Sequence, residues 1–271
     1  MICTEIWKGQ GLGNQLSCYV TTRTIALDNN YEWGIMGKEN FKGSFFDLDF
    51  GKEITGGFTP IEGQEPSILP DTILHYYKEA TQLNERGTNI SGYDTFLKDI
   101  PDHTKIDGLM QGVEYFKHRR SEIQEWLKVE PAHIPESVCI INFRGGEYKW
   151  VKDFYLPQSY WNNAIELMIE ERPDMQFEVH TDDPIEARKF FPDFPIVSDI
   201  AINWRTLRYC HYAILSNSSF AILPIWLNDN VKKVIAPKYF GRFNTEEGWC
   251  LEQNKVEGWY YLDKHGVCNT L

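Results

Sequence analysis

The chain has 271 residues, 42% hydrophobic and 24% charged, with a net charge of -12. That length and apolar content suffice for one large core or two smaller ones without staples. The acidic balance excludes a general nucleic-acid surface, which needs clustered cations to displace condensed counterions, so an anionic ligand must be held by a local positive site. Cys3, Cys18, Cys139, Cys210, Cys250 and Cys268 are scattered and form no Cys-x-x-Cys, which reads as free thiols in a reducing compartment. The seven histidines lack metal-ligand spacing, and no structural zinc is expected. Met1 opens a segment with no basic or apolar leader, and no run reaches membrane-span length. The expectation is a chain without a transmembrane segment, cytoplasmic or peripheral at a membrane.

In chain order, Ile2 to Trp7 reads as a strand and Lys8 to Gln15 as a glycine-rich turn. Leu16, Tyr19, Val20, Arg23, Ile25, Ala26 and Leu27 then give an approximate helical stripe ending at Asp28. Strand, glycine turn and helix together expose backbone N–H groups to an anion. Gly9, Gly11 and Gly13 nevertheless match neither Gly-x-Gly-x-x-Gly nor a P-loop. Between Tyr31 and Leu127 the signals suggest a few strands, such as Ile73 to Tyr77, joined by long connections. Asp47 and Asp49 form an Asp-x-Asp, read as a turn between aromatic residues with metal binding as the other reading. Gly56, Gly57, Tyr76 and Tyr77 fit either an acceptor surface or core packing. Ser121-Glu-Ile-Gln124 has the form of a capping box opening a short helix, with Ile123, Trp126 and Leu127 inward. Val129 to Pro135, with two prolines, is the candidate linker between domains at 1–130 and 131–271.

Beyond it the pattern is regular. Strand Val138–Phe143, helix Ser159–Glu171 and strand Met175–His180 lead to a helix capped by Asp183 with Pro184 at its first position. Strand Phe194–Val197, helix Asn203–His211, strand Tyr212–Leu215, a helix from Ser218 or Ser219 to Leu227, and strand Lys233–Ala236 follow. Such alternation predicts an α/β fold with a parallel, Rossmann-like sheet. Ligands of such sheets collect beyond the carboxyl ends of the strands. Those ends carry Asn142, Arg144-Gly-Gly-Glu147, Asp182, Asp183 and Ser216-Asn217-Ser218-Ser219. Arg144 is the leading candidate for an anion, because a guanidinium fork fits a phosphate bidentately; the alternative is a surface ion pair. The serine block, at a helix N-terminus, suits a phosphate oxygen, and as a plain cap would account for only one or two of its four polar residues.

Gly11-Leu-Gly13-Asn14-Gln15, Ile141-Asn-Phe-Arg-Gly-Gly-Glu-Tyr148, Thr181-Asp-Asp183 and Cys210-His-Tyr-Ala-Ile-Leu-Ser-Asn-Ser-Ser-Phe220 together resemble the ordered motifs of glycosyltransferase family 11, the α-1,2-fucosyltransferases. The resemblance covers most of the chain. It implies a GT-B-like fold of two Rossmann-like domains, an acceptor-side N-terminal one and a nucleotide-sugar-binding C-terminal one. It further implies an inverting fucosyl transfer from GDP-fucose to a glycan acceptor, with no cofactor or metal required. In that pattern Arg144 holds the pyrophosphate, the serine block supplies phosphate contacts, and the glycine turn of the first domain faces the donor. Where the family has His-x-Arg-Arg-Gly-Asp, this chain has Asn142, Gly145 and Glu147 at the first, fourth and last places, so one cation of a pair is missing. Lys149, Arg205 and Arg208 are its possible replacements. Asn203 stands where related enzymes have a guanine-reading aspartate, which leaves a different nucleotide-sugar donor, or a catalytically silent glycan- or nucleotide-binding protein, as alternatives. Glu147 is the candidate general base.

Overall fold

The computed structural model describes residues 1–54, 73–79, 82–83, 89–90, 93–152, 154–245, 249 and 255–270. Gly56, Gly57 and Cys250 lie outside the described residues. The chain is mixed α/β and divides into two compact units, one of Met1–Lys128 and a second holding nearly all of the chain from Val129 onward. Residues 128–135 carry neither helix nor strand.

The first unit contains β1 (Ile2–Glu5), α1 (Leu12–Asp28), β2 (Trp33–Met36), β3 (His75–Lys78), β4 (Gln82–Leu83), β5 (Asn89–Ile90), β6 (Thr104–Asp107) and α2 (Arg120–Trp126). Four strands form a parallel sheet in the order β2-β1-β6-β3, while β4 and β5 form a separate antiparallel pair. α1 starts at Leu12, earlier than the expected turn allowed, so Gly13, Asn14 and Gln15 belong to its first turn. The reason is burial: Leu12 and Leu16, one turn apart, are both inside, as is nearly every residue through Ala26. Polar Thr21, Thr22 and Thr24 are buried with them, which is why the apolar stripe looked weak. Parallel β1, β6 and β3 place Glu5, Lys105 and Tyr76 on one face, where buried Lys105 binds Glu5 at 2.6 Å. The expected capping box does not form. A short 3-10 turn, Lys117–Arg119, runs straight into α2, so Ser121 falls inside the helix. Arg119 at the N-cap instead binds Asp28 at 2.7 Å and Glu122 at 2.9 Å.

The second unit contains β7 (Val138–Phe143), α3 (Gln158–Glu171), β8 (Gln176–Thr181), α4 (Pro184–Phe190), β9 (Ile196–Val197), α5 (Ile200–Tyr209), β10 (Tyr212–Leu215), α6 (Ser219–Trp226), β11 (Lys233–Pro237), β12 (Tyr260–Leu262) and β13 (Cys268–Thr270). They form one sheet in the order β13-β12-β11-β10-β7-β8-β9, parallel except for the edge strand β13. Successive side chains of β7 serve opposite faces. Cys139, Ile141 and Phe143 pack with Tyr160, Trp161, Ala164 and Met168 of α3, while Ile140 packs with Leu207 of α5 and Ala221 and Ile225 of α6. A sheet covered on both faces reads as continuous apolar runs, which is what made β7 and β10 visible in the sequence. β9 is shorter than expected because Phe194 leaves the strand to stack on Phe177 and Phe191. α5 begins three residues early, with the Asp199 carboxylate accepting the Ile202 N–H at 2.8 Å. Cys3, Cys18, Cys139, Cys210 and Cys268 are free thiols. Among the described residues, no helix is long and apolar enough to cross a membrane.

Ile141 is fully buried in β7, an interior strand of the second unit's sheet between β10 and β8. Ile141→Ala is expected to cost about 2–5 kcal/mol through the lost methylenes and the cavity left behind, read as a lower denaturant midpoint at unchanged slope.

Candidate functional site

Counted along the chain, the parallel strands of the second unit lie in the order third, second, first, fourth, fifth, sixth, so the winding reverses between β7 and β10. At such a reversal the loops leaving two neighbouring strands part to opposite sides and open a crevice beyond their carboxyl ends. Asn142 and Arg144 stand at the end of β7 and Ser216 at the end of β10. The Ser216 hydroxyl donates to Asn142 Oδ1 at 3.0 Å, joining the two loops across the reversal.

Arg144 is ion-paired on both sides. One guanidinium nitrogen meets Asp182 Oδ2 at 2.6 Å and the other meets Glu147 Oε1 at 2.7 Å, while the guanidinium carbon lies 5.2 Å from the centre of the Tyr148 ring. Burial works against the Arg144 cation, but the Asp182 and Glu147 carboxylates outweigh it and hold its pKa above the ordinary value. Burial also pushes the Tyr148 phenol up to about 12, keeping it neutral against the cation. Asp182 Oδ1 accepts the Gly145 N–H at 3.0 Å, so a single carboxylate fixes both the arginine and its loop.

The glycine pair after Arg144 has a steric task. A Cβ on Gly145 would sit 2.7 Å from Asp183 Cβ, and one on Gly146, at φ +28°, would collide with the Asp182 carboxylate. The glycines therefore let the loop after β7 lie against the acids after β8. Asp183 caps α4, Oδ1 accepting the Glu186 N–H at 3.0 Å, and its Oδ2 binds Lys149 Nζ at 3.0 Å. The backbone hydrogen bond from Glu186, with help from Lys149, holds its carboxyl below the usual carboxylate range.

The serine block is divided in role. Asn217 is fully buried and structural: its amide donates to the Phe154 carbonyl at 3.1 Å and accepts the Gly241 N–H at 3.0 Å. Ser218 occupies the N-cap of α6 without a side-chain cap hydrogen bond, and Ser219 opens the helix. Both stand at the N-terminus of α6, directly after the end of β10.

Asn203 lies inside, 6% exposed, with Oδ1 2.8 Å from His180 Nδ1 and Nδ2 3.5 Å from the Thr181 carbonyl. The side chain expected to read a base is engaged with a histidine whose pKa is lowered by burial. Of the possible second cations, Lys149 is tied to Asp183, Arg205 is exposed and Arg208 rests 5.2 Å from the Tyr209 ring. In the first unit, Gly11 is the N-cap of α1 with open space around it, and the Gly13 carbonyl accepts from Ser17 at 3.0 Å. Asn14 Oδ1 accepts from Gln111 at 2.5 Å, and Gln15 spans the Asn40 carbonyl and the Lys42 N–H, each at 2.9 Å. The amides of the Gly-Leu-Gly-Asn-Gln stretch thus tie neighbouring loops to α1. Tyr76 and Tyr77 donate to Asp107 at 2.8 Å and Asp94 at 2.6 Å. Asp49 accepts the Gly51 N–H at 2.8 Å, the turn reading of Asp47-Leu-Asp49.

Sequence reasoning missed the Lys149–Asp183 link and the exposure of Trp150. No local signal predicts the first, a pairing across 34 positions. No protein-family model matches the chain, and a search of curated proteins likewise finds no match.

Asp183→Ala should cost about 0.5–2 kcal/mol at neutral pH through the lost cap. Because the folded pKa lies below that of the unfolded chain, about 3.9, the contribution is complete above that value and fades as pH falls through the folded one. In urea melts of wild type and variant, the stability difference is expected to be largest at pH 7 and smaller at pH 3.

Proposed function

We propose that this chain is an inverting glycosyltransferase of GT-B type, related to the α-1,2-fucosyltransferases, transferring fucose from GDP-fucose to a glycan hydroxyl without a required metal. The observation that carries the reading is the meeting of the Arg144 loop and the Ser216–Ser219 loop at the β7/β10 reversal, held by the Ser216–Asn142 bond. There the diphosphate is gripped by Arg144, the hydroxyls of Ser218 and Ser219, and the α6 N-terminus.

In the reaction the acceptor oxygen bonds to the anomeric carbon as the bond from that carbon to the phosphate oxygen breaks, and GDP leaves with the electron pair. Arg144 stabilises the charge that grows on the leaving phosphate. To do so it must exchange one carboxylate for phosphate. Glu147, 67% exposed, is the partner that swings away, while Asp182, 28% exposed and also bonded to Gly145, keeps the guanidinium aimed. The displaced Glu147 carboxylate is then free of its cation and takes the proton of the acceptor hydroxyl.

A second reading has its own support. Both faces of the Arg144 fork are already neutralised by carboxylates, as in a structural ion pair. That favours a glycan- or nucleotide-binding protein without catalysis. The engagement of Asn203 with His180 favours, within the transferase reading, a donor whose base is read elsewhere.

Calorimetric titration with GDP, UDP, CDP and ADP in EDTA separates these readings. Selective GDP binding together with turnover of GDP-fucose is the expected outcome, whereas binding without donor hydrolysis or transfer would leave the binder. Arg144→Ala should weaken nucleotide binding by about 1.5–3 kcal/mol, and Ser218→Ala by about 0.5–1.5 kcal/mol. Unchanged affinity in a folded Arg144→Ala variant would remove this arginine from the site.

A further inference from the structure

Of the nine tryptophans, Trp150 alone is exposed, at 81%. It ends the 3-10 turn Gly146–Trp150, six residues beyond Arg144, and that turn is held in place from several directions. Lys149 N–H bonds the Gly145 carbonyl at 3.2 Å, Val151 N–H bonds the Tyr148 carbonyl at 2.9 Å, and Lys149 Nζ reaches Asp183 at 3.0 Å. Tyr148, two residues earlier, turns inward to Arg144 and to Phe154, 5.0 Å between ring centres. An indole beside a well-anchored arginine loop has a large apolar face and no core to bury it in.

We propose that Trp150 is the stacking platform for the base of a nucleoside diphosphate bound at the β7/β10 reversal. This rests on the reading of that edge as a nucleotide site and assigns the direction in which the nucleotide lies. With the phosphates at Arg144 and the α6 N-terminus, the nucleoside runs toward β8, because Lys149 ties the Trp150 turn to Asp183 at the end of that strand. A base is the one part of such a ligand with a flat π-face, and stacking on an indole suits every base, so it needs no reading by Asn203. Lys149 Nζ, 5.7 Å from the Trp150 ring centre, puts a cation beside the stack on the side facing Asp183.

The test is calorimetric titration of wild type, Trp150→Ala and Trp150→Phe with GDP, UDP, CDP and ADP and, separately, with inorganic pyrophosphate. For the best-binding nucleotide, Trp150→Ala is expected to lose roughly 5- to 150-fold in affinity, the range for one base on one aromatic ring. Trp150→Phe is expected to recover most of that loss, and pyrophosphate binding should be the same in all three proteins. Equal loss of nucleotide and pyrophosphate would mean that the indole only places the loop, and overturns the proposal. So does a Trp150→Ala variant that binds nucleotide like wild type, an outcome that leaves the nucleotide site itself standing. Failure of wild type to bind any nucleotide or pyrophosphate would bring down both the site and its platform. Equal melting temperatures of the three proteins serve as the folding control, since the exposed side chain supports no core.

Discussion

The Asp182 carboxylate sets the geometry of the candidate site, because it grips the Arg144 guanidinium with one oxygen and the Gly145 N–H with the other. Through it the loop after β7 is bound to the loop after β8, and Lys149 on Asp183 repeats the connection one residue on. The two glycines are the steric condition for this, since any side chain at either place would strike an acid. Arg144 is thereby oriented before any ligand arrives. A preorganised cation loses little entropy on binding, although it must give up a carboxylate in exchange.

Charge decides what such a site can hold. Arg144 and Lys149 are accompanied by Glu147, Asp182 and Asp183, so the cluster is slightly acidic as it stands. An anion gains there only if it replaces a partner more cheaply held than itself. The exposed Glu147 is solvated on release, and its departure costs less than that of the half-buried Asp182. The N-terminus of α6 is a positive element at the end of β10, and its cap residue Ser218 makes no side-chain cap bond. Arg144 and α6 follow the neighbouring strands β7 and β10 at the reversal, the placement on which the proposed diphosphate site rests.

The first unit reaches a similar end by other means. Glu79, 3% exposed, accepts the N–H groups of Leu109 and Met110 at 2.7 and 3.0 Å, and Gly108 has no room for a side chain beside it. Thr21 and Cys18 on α1 bond the Met110 and Gly108 carbonyls at 3.0 and 3.3 Å. Buried polar groups are costly unless paired, and pairing them makes the loop after β6 and the glycine-rich start of α1 one rigid piece. Of the threonines of α1 that blurred its stripe, Thr21 belongs to that network, while the buried hydroxyls of Thr22 and Thr24 make no hydrogen bond among the described residues.

The alternation of apolar runs and amphipathic stretches was enough to place β7, α3, β8, α4, β10, α6 and β11 within a residue or two, because a doubly covered parallel sheet demands apolar residues on both faces of each strand. The Asp183-Pro184 cap was equally legible, being a contact between neighbours in sequence. Strands β12 and β13 were not, since three residues at a sheet edge carry too little pattern to stand out. The site was legible as a set of strand ends but not as a set of contacts. That Glu147 faces Arg144 was within reach of a local reading. The hold of Asp182 on that arginine, of Asn203 on His180 and of Ser216 on Asn142 was not. Sequence by itself determined which residues arrive at the carboxyl edge of the sheet, because local periodicity sets where each strand stops. Only the tertiary structure decided which of those side chains are spent on one another, because strand order, invisible to any local pattern, brings positions dozens of residues apart within hydrogen-bond reach.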